Sequence, residues 1–287
     1  MTSTEEGKVP TLKEAIALPQ KHRDLTLAMQ PMPNYTSTEG APFGLPLSFR
    51  AAWDLADRPR RIALLMDDCQ EEYRPYAENA NIVDNLVALT TAFREKRETY
   101  PDGVACVWSS WSRTFDDGIS NAMDRWYGPR GLRPDEPENA VYVFGGSPGM
   151  EILAEISPTA AEREAGWFYN GRHLDMFWNF TSDGKSYLDE KLKALNIDTV
   201  VIAGLWTDEC IISTAYAALS RGYDVVVVSD ATATATDKHE SGLALISGVC
   251  CKIKTTAEVV AYMKESFTLG EPGKVKGVKY PDGRIDD

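Results

Sequence analysis

Histidine is scarce in this 287-residue chain: the three present, His22, His173 and His239, are too scattered for a zinc cluster of the usual His and Cys type. The five cysteines, Cys69, Cys106, Cys210, Cys250 and Cys251, are odd in number and have no C-x-x-C spacing. Free thiols are therefore expected, and neither a metal nor a cofactor is implied. Positive charge is also in deficit, with 30 Lys plus Arg against 43 Asp plus Glu and a net charge of -13. The basic balance that holds a phosphate backbone is lacking, so no nucleic-acid partner is expected. No apolar run approaches the roughly 18 residues needed to cross a bilayer, and the N-terminal MTSTEEGKVPTLKEA lacks the charged and apolar regions of a signal peptide. The expectation is a cytoplasmic protein with no membrane partner. What the chain does have is 43% apolar residues, enough for a substantial core.

Residues 1–58 hold Pro10, Pro19, Pro31, Pro33, Pro42 and Pro46, with one weak helical stretch at 12–18. Phe43, Leu45, Leu47, Phe49 and Trp53 are too many apolar groups for a free tail. This predicts an extended arm over 1–58 that packs on the core or on a neighbouring subunit. It is followed by a core domain over 59–268 and a Lys- and Gly-containing tail over 269–287.

Within the core a strand-then-helix pattern repeats. IALLM (62–66), VACVW (104–108), VYVF (141–144), TVVIAG (199–204), DVVVVSD (224–230) and a short CCKIKT (250–255) read as strands. Helices are predicted over 77–98, 150–156, 186–197, 212–221 and 239–247, and again from Ala257. Continuous rather than alternating apolar strands, each followed by an amphipathic helix, indicate an α/β fold with a parallel sheet covered on both faces. Ligands bind such sheets at the carboxyl ends of the strands. That rule selects two places: Asp67, Asp68, Cys69 and Gln70 after the first strand, and residues 205–210 after TVVIAG.

Cys210 follows a buried strand and opens a helix, where backbone N–H groups and the macrodipole favour a thiolate and can hold an oxyanion. Asp68, at the end of another strand, can take the thiol proton if the two strands are neighbours. A packed thiol and a capping aspartate are the structural alternatives. Asp67 is expected to point to the opposite face from Asp68, because side chains alternate along a strand. His239 reads as a structural hydrogen-bonding residue and Asp230 as a turn or cap.

IALLMDDCQEEY resembles the D-x-Q segment of the isochorismatase-like cysteine hydrolases, and VVIAGLWTDECIISTAYAALSRGYDVVVVSDAT resembles their G-x-x-T-D-x-C nucleophile segment with the strand that follows. The likeness spans roughly 61–263, and its second segment is highly specific. It implies a three-layer αβα sandwich with a central parallel sheet of about six strands, assembled as a dimer or tetramer. It makes Asp68 the base and Cys210 the nucleophile. It also implies a cis peptide at Leu205–Trp206, with the oxyanion near the N–H groups of Trp206 and Cys210.

The family's third residue is a lysine, and here the chain departs: no lysine occurs between Lys96 and Lys185. The expected position falls near Gly171, Arg172 or His173. Arg172 keeps the charge but cannot release a proton, whereas His173 can do both. Family nicotinamidases carry a D-x-H metal site after the second strand. This chain reads SSWSRTFDDGISNAMDRWYG there, which predicts a metal-independent enzyme. Six of the 7 tryptophans lie between the second strand and the nucleophile. If Trp108, Trp111, Trp178 and Trp206 converge with Gln70, they form an aromatic pocket for a flat, neutral or cationic small molecule; burial at a subunit interface is the alternative. The expected activity is hydrolysis of a small amide, imide, carbamoyl or ureido compound. An isochorismatase-type enol-ether hydrolase and a non-catalytic family member are the alternatives.

Overall fold

The computed structural model describes residues 53–112, 148–171, 173–247, 249–272, 278–279 and 285–286. Asp54–Lys279 with Ile285–Asp287 groups as one compact unit; Met1–Trp53 and Tyr280–Arg284 group apart, and of these only Trp53 is described. The expected arm thus lies outside the described residues as far as 52. Residues 54–58 belong to the core unit, where Asp54 caps a short turn at Leu55–Asp57. In the expected tail, Leu269 bridges to Arg60, and Val278–Lys279 pairs antiparallel with Ile285–Asp286.

Six strands build the central sheet: β1 Ile62–Asp67, β2 Val104–Trp111, β3 Phe168–Gly171, β4 Thr199–Leu205, β5 Asp224–Ala233 and β6 Lys252–Lys254. All neighbours are parallel and the order is β3-β2-β1-β4-β5-β6. Every residue of β1, β2 and β4 is buried. Their unbroken apolar runs require this, because a strand covered on both faces has no solvent side. The described helices are α1 Arg74–Asn79, α2 Val83–Thr99, α3 Ala160–Glu164, α4 Tyr187–Ala194, α5 Ile212–Ser220, α6 His239–Ser247 and α7 Thr256–Ala261. Helices α2 and α7 pack together against one face of the sheet, while α5 packs with α6 and against β5. Asp230 accepts both the N–H and the hydroxyl of Thr256, the first residue of α7, at 2.7 and 2.8 Å.

Two local predictions change. The helix expected over 77–98 is split into α1 and α2 by Asn81, whose φ of 56° is left-handed and cannot continue a right-handed helix. The helix-like 150–156 is instead two tight turns, Pro148–Met150 and Ala154–Ile156, because Ile152 between them bridges to Gln70 in strand fashion. VYVF lies outside the described residues.

The strand order places the site. From β1 the chain crosses to β2 on one side, and from β4 it crosses to β5 on the other. The carboxyl ends of β1 and β4 therefore flank the point where the winding reverses, which is where a doubly wound sheet opens a crevice. The opposite end is closed by charge pairing: Arg58 binds Asp198 at 3.1 Å and Asp224 at 2.9 Å, and the fully buried Arg60 binds Asp224 at 2.6 Å.

Candidate active site

Strand β1 ends at Asp67, and the next residue, Asp68, has a φ of 50°. That left-handed residue breaks the alternation of the strand. As a result Asp67 and Asp68 do not diverge to opposite faces, as strand geometry alone predicts. An oxygen of each carboxyl lies 3.1 Å from the Ser109 hydroxyl on β2. Register explains why Ser109 is there: Met66 pairs with Trp108, so the following residues of the two strands stand side by side. All three residues are buried.

On the other side, β4 approaches β1 very closely at Gly204, which pairs with Asp67. Gly204 has a φ of +123°, and a Cβ at this position would sit 2.0 Å from the Asp67 carbonyl oxygen, so only glycine fits. The Leu205–Trp206 peptide that follows is cis. The chain then makes one widened turn, Thr207–Ile211, in which the N–H groups of Glu209 and Ile211 both bond the Trp206 carbonyl, before α5 begins. Single widened turns of this kind recur at functional sites. Two anchors hold it: the Thr207 hydroxyl is 2.8 Å from Nδ1 of His239, and Asp208 accepts hydroxyls from Thr234 and Thr236, each at 2.5 Å.

Cys210 lies in this turn beside Asp68, near enough that each perturbs the other's ionisation. One helical turn further on, the Thr214 hydroxyl donates to Asp67 at 2.9 Å. A continuous chain of hydrogen bonds thus runs from Thr214 through Asp67 and Ser109 to Asp68, beside Cys210. The ring of Trp206 packs against Tyr73 and Tyr76, with centroids 4.8 and 5.0 Å away. The buried Tyr73 in turn feels the charges of Asp68, Cys210, Glu72 and Glu209.

Burial dominates the electrostatics. It pushes the Asp68 carboxyl up to about 7, against the opposing effects of the Ser109 hydrogen bond and of the neighbouring Cys210. Burial, reinforced by the Asp68 charge, holds Asp67 well above the usual carboxylate range. The Cys210 thiol is also pushed well up, by burial first and then by the charges of Asp68 and Asp67. The helix N-terminus was expected to make this a ready thiolate; instead the N–H of Trp206, which favours the anion, is outweighed. The thiol rests protonated and depends on a base. Glu72 is raised to about 7 by burial.

The other sequence-selected residues are dispersed. Gln70 is buried, with its side-chain amide bonded to both backbone groups of Trp111, at 3.0 Å to the carbonyl and 2.7 Å from the N–H. Trp108 is buried under the Arg94 guanidinium on α2, 5.1 Å from its ring centre. Trp111 is buried at the end of β2. Trp178 is half exposed and meets His173 and Phe180 edge-on. These tryptophans therefore form separate local groups. Of the selected aromatics, Trp206 belongs to the turn that carries Cys210. Arg172 lies outside the described residues; His173 is described and exposed. Among the described residues, no three His, Cys, Asp or Glu side chains converge as a metal site would. Sequence reasoning missed Ser109, Thr214, Tyr73 and Tyr76. The four-residue spacing of Thr214 from Cys210 was a usable signal, since it sets both on one helix face.

Fold and site together define a doubly wound α/β protein with a carboxylate–thiol pair at the reversal point of its sheet. A family profile for the isochorismatase domain matches residues 62–258. The isochorismatase family protein YwoC of Bacillus subtilis (strain 168) is 28% identical over 207 residues, covering 71% of this chain and 95% of that protein. Among solved structures, the chain resembles a cysteine hydrolase from Pseudomonas syringae pv. phaseolicola 1448A, with a TM-score of 0.59, 20% identity, and coverage of 75% of this chain and 97% of that one. It also resembles the nicotinamidase/pyrazinamidase PncA of Bacillus subtilis, with a TM-score of 0.52, 23% identity, and coverage of 67% and 98%. The chain belongs to the isochorismatase family of hydrolases.

Proposed function

We propose that the protein is a metal-independent cysteine hydrolase that cleaves a C–N bond of a small amide, imide, carbamoyl or ureido compound. What supports this reading is that Asp68 and Cys210, both buried, follow the adjacent strands β1 and β4 and each perturbs the other's ionisation, which sets a nucleophile beside its base. As sulfur bonds to the carbonyl carbon, Asp68 takes the thiol proton. The N–H groups of Trp206 and Cys210 receive the oxyanion. The C–N bond then breaks, and the nitrogen leaves with the proton from Asp68. Water next gives a proton to Asp68 and its hydroxyl to the acyl carbon; the C–S bond breaks and sulfur recovers its proton. A carboxyl pushed up to about 7 suits both directions of transfer at neutral pH. An enol-ether hydrolase would use Asp68 alone and would leave Cys210 beside it without a role.

Charge around the site bears on the substrate. Asp68, Glu72 and Glu209 are acidic, which favours a neutral or cationic compound over an anionic one. The positive group that balances the developing anion is assigned to Arg172, with His173 second, because they occupy the window where the family lysine is missing. The test is a panel of primary amides, cyclic imides, N-carbamoyl compounds and ureides, assayed for ammonia or amine release with intact-mass detection of an acyl adduct. Release that requires Cys210 and survives chelation by EDTA is expected. Undiminished release by Cys210→Ser would overturn the reading.

A further inference from the structure

The Ser109 hydroxyl has one hydrogen and two acid neighbours. Its oxygen lies 3.1 Å from Asp67 Oδ1 and 3.1 Å from Asp68 Oδ1, and it is also approached by the Asp68 N–H at 3.4 Å. If both carboxyls were ionised, one of the two contacts would set lone pair against lone pair in a buried site, which folded proteins avoid. A proton on one carboxyl resolves the conflict, because that carboxyl then donates to Ser109 and Ser109 donates to the other.

The surroundings decide which carboxyl holds it. In the reading proposed above Asp68 takes the Cys210 proton and so is the acceptor end of the chain. Asp67 uses Oδ2 to accept the Thr214 hydroxyl at 2.9 Å; the Thr214 oxygen itself accepts the Met176 N–H at 3.1 Å, which leaves the hydroxyl hydrogen for Asp67. Oδ1 of Asp67 is thus the atom left to donate. Among the described residues, the groups facing Asp67 are the adjacent Asp68 and Cys69, Ser109 from β2, Tyr169 from β3, the Gly204 backbone from β4, Cys210 and Thr214 from the turn and α5, and Asp175 from the segment after β3. None of these is cationic.

We propose that Asp67 is a positioning residue held as a neutral carboxylic acid, which donates to Ser109 and so aims the Ser109 hydrogen at Asp68. The inference rests on the pairing of Asp68 with Cys210 proposed above. Burial and the adjacent Asp68 charge act in the same direction, since both disfavour a second anion at Asp67. A proton on Asp67 then leaves Asp68 as the single anion of the resting pair and fixes where its free lone pair points.

Two measurements test this. With aspartate side-chain carboxyls labelled with ¹³C, one resonance should remain at the protonated position to about pH 8, vanish in Asp67→Asn and persist in Asp68→Asn. Absence of such a resonance, or its loss only in Asp68→Asn, overturns the proposal. The second measurement is the pH profile of iodoacetamide alkylation at Cys210, resolved by peptide mass. Asn at position 67 can donate to Ser109 and accept from Thr214 as the neutral acid does, so Asp67→Asn should stay within about threefold of wild type. Asp67→Leu and Ser109→Ala should be about tenfold slower at neutral pH, with the profile displaced upward by about one unit, as for a carboxylate that loses a donor. If Asp67 is ionised instead, Asp67→Asn removes a negative charge and speeds alkylation about tenfold or more, which refutes the idea. Cys210 alkylation that is independent of Asp68 would sink the hydrolase reading; the carboxyl resonance reports on Asp67 in either case.

Discussion

Replacing Asp68 with Asn is expected to disable the site and to stabilise the fold at alkaline pH. The folded carboxyl, raised from 3.8 to about 7, differs from the unfolded one by about three units, worth roughly 4 kcal/mol. Below about pH 4 the group is protonated in both states and its contribution is fully present. Between about 4 and 7 the unfolded chain ionises while the folded chain keeps its proton, so stability falls as the pH rises; above about 7 the loss is complete. Asn cannot ionise and escapes this loss. Because Asp67 and Asp68 meet at Ser109 and share part of the effect, Asp68→Asn should exceed wild type by about 2–4 kcal/mol at about pH 8 and match it near pH 4. Urea denaturation at the two pH values reads this directly. A difference that is the same at both, or a variant less stable than wild type at about pH 8, would mean that the folded Asp68 ionises as easily as an exposed carboxylate, and the argument from burial would fail.

Three further outcomes are expected. Asp68→Asn should slow iodoacetamide alkylation of Cys210 by about 10²-fold, the scale of a lost base, and leave the free thiol of Cys250 unchanged, because its ionisation is perturbed by Cys251 and not by Asp68; equal slowing at both would point to a global change. Gly204→Ala should lose about 3 kcal/mol or more in urea, since its Cβ meets the Asp67 carbonyl at 2.0 Å with φ at +123°, and a loss under about 1 kcal/mol would contradict that contact. Arg172→Ala should slow Cys210 alkylation about tenfold and His173→Ala less, through loss of the charge that offsets the paired anions; no change in either would place that charge elsewhere.

The strands and the main positions of the site were legible because each rests on a local signal. Buried parallel strands announce themselves as unbroken apolar runs, and Asp68 and Cys210 stand at the ends of two of them. What was not legible depends on contacts across strands. Ser109 is an ordinary polar residue until the β1–β2 register sets it beside Asp67 and Asp68. The convergence of those two carboxyls turns on one left-handed residue, Asp68, which no alternation rule anticipates. The thiol of Cys210 was read as activated from its place at a helix start, yet the depth of burial and the two neighbouring acids are tertiary facts that reverse the direction. The tryptophans scatter because proximity in sequence carries no information on which side of a parallel strand each ring falls, and Trp108 turned toward α2.

The side chain of Gln70 behaves like one more peptide of a sheet, bonding both backbone groups of Trp111, and its own backbone bridges to Ile152, flanked by bonds from Glu71 N–H to Glu151 and from Leu153 N–H to Cys69. The end of β2 and the strand-like segment 151–153 are therefore riveted to the same few residues that carry the base, and a single residue, Gln70, is the clamp that holds both.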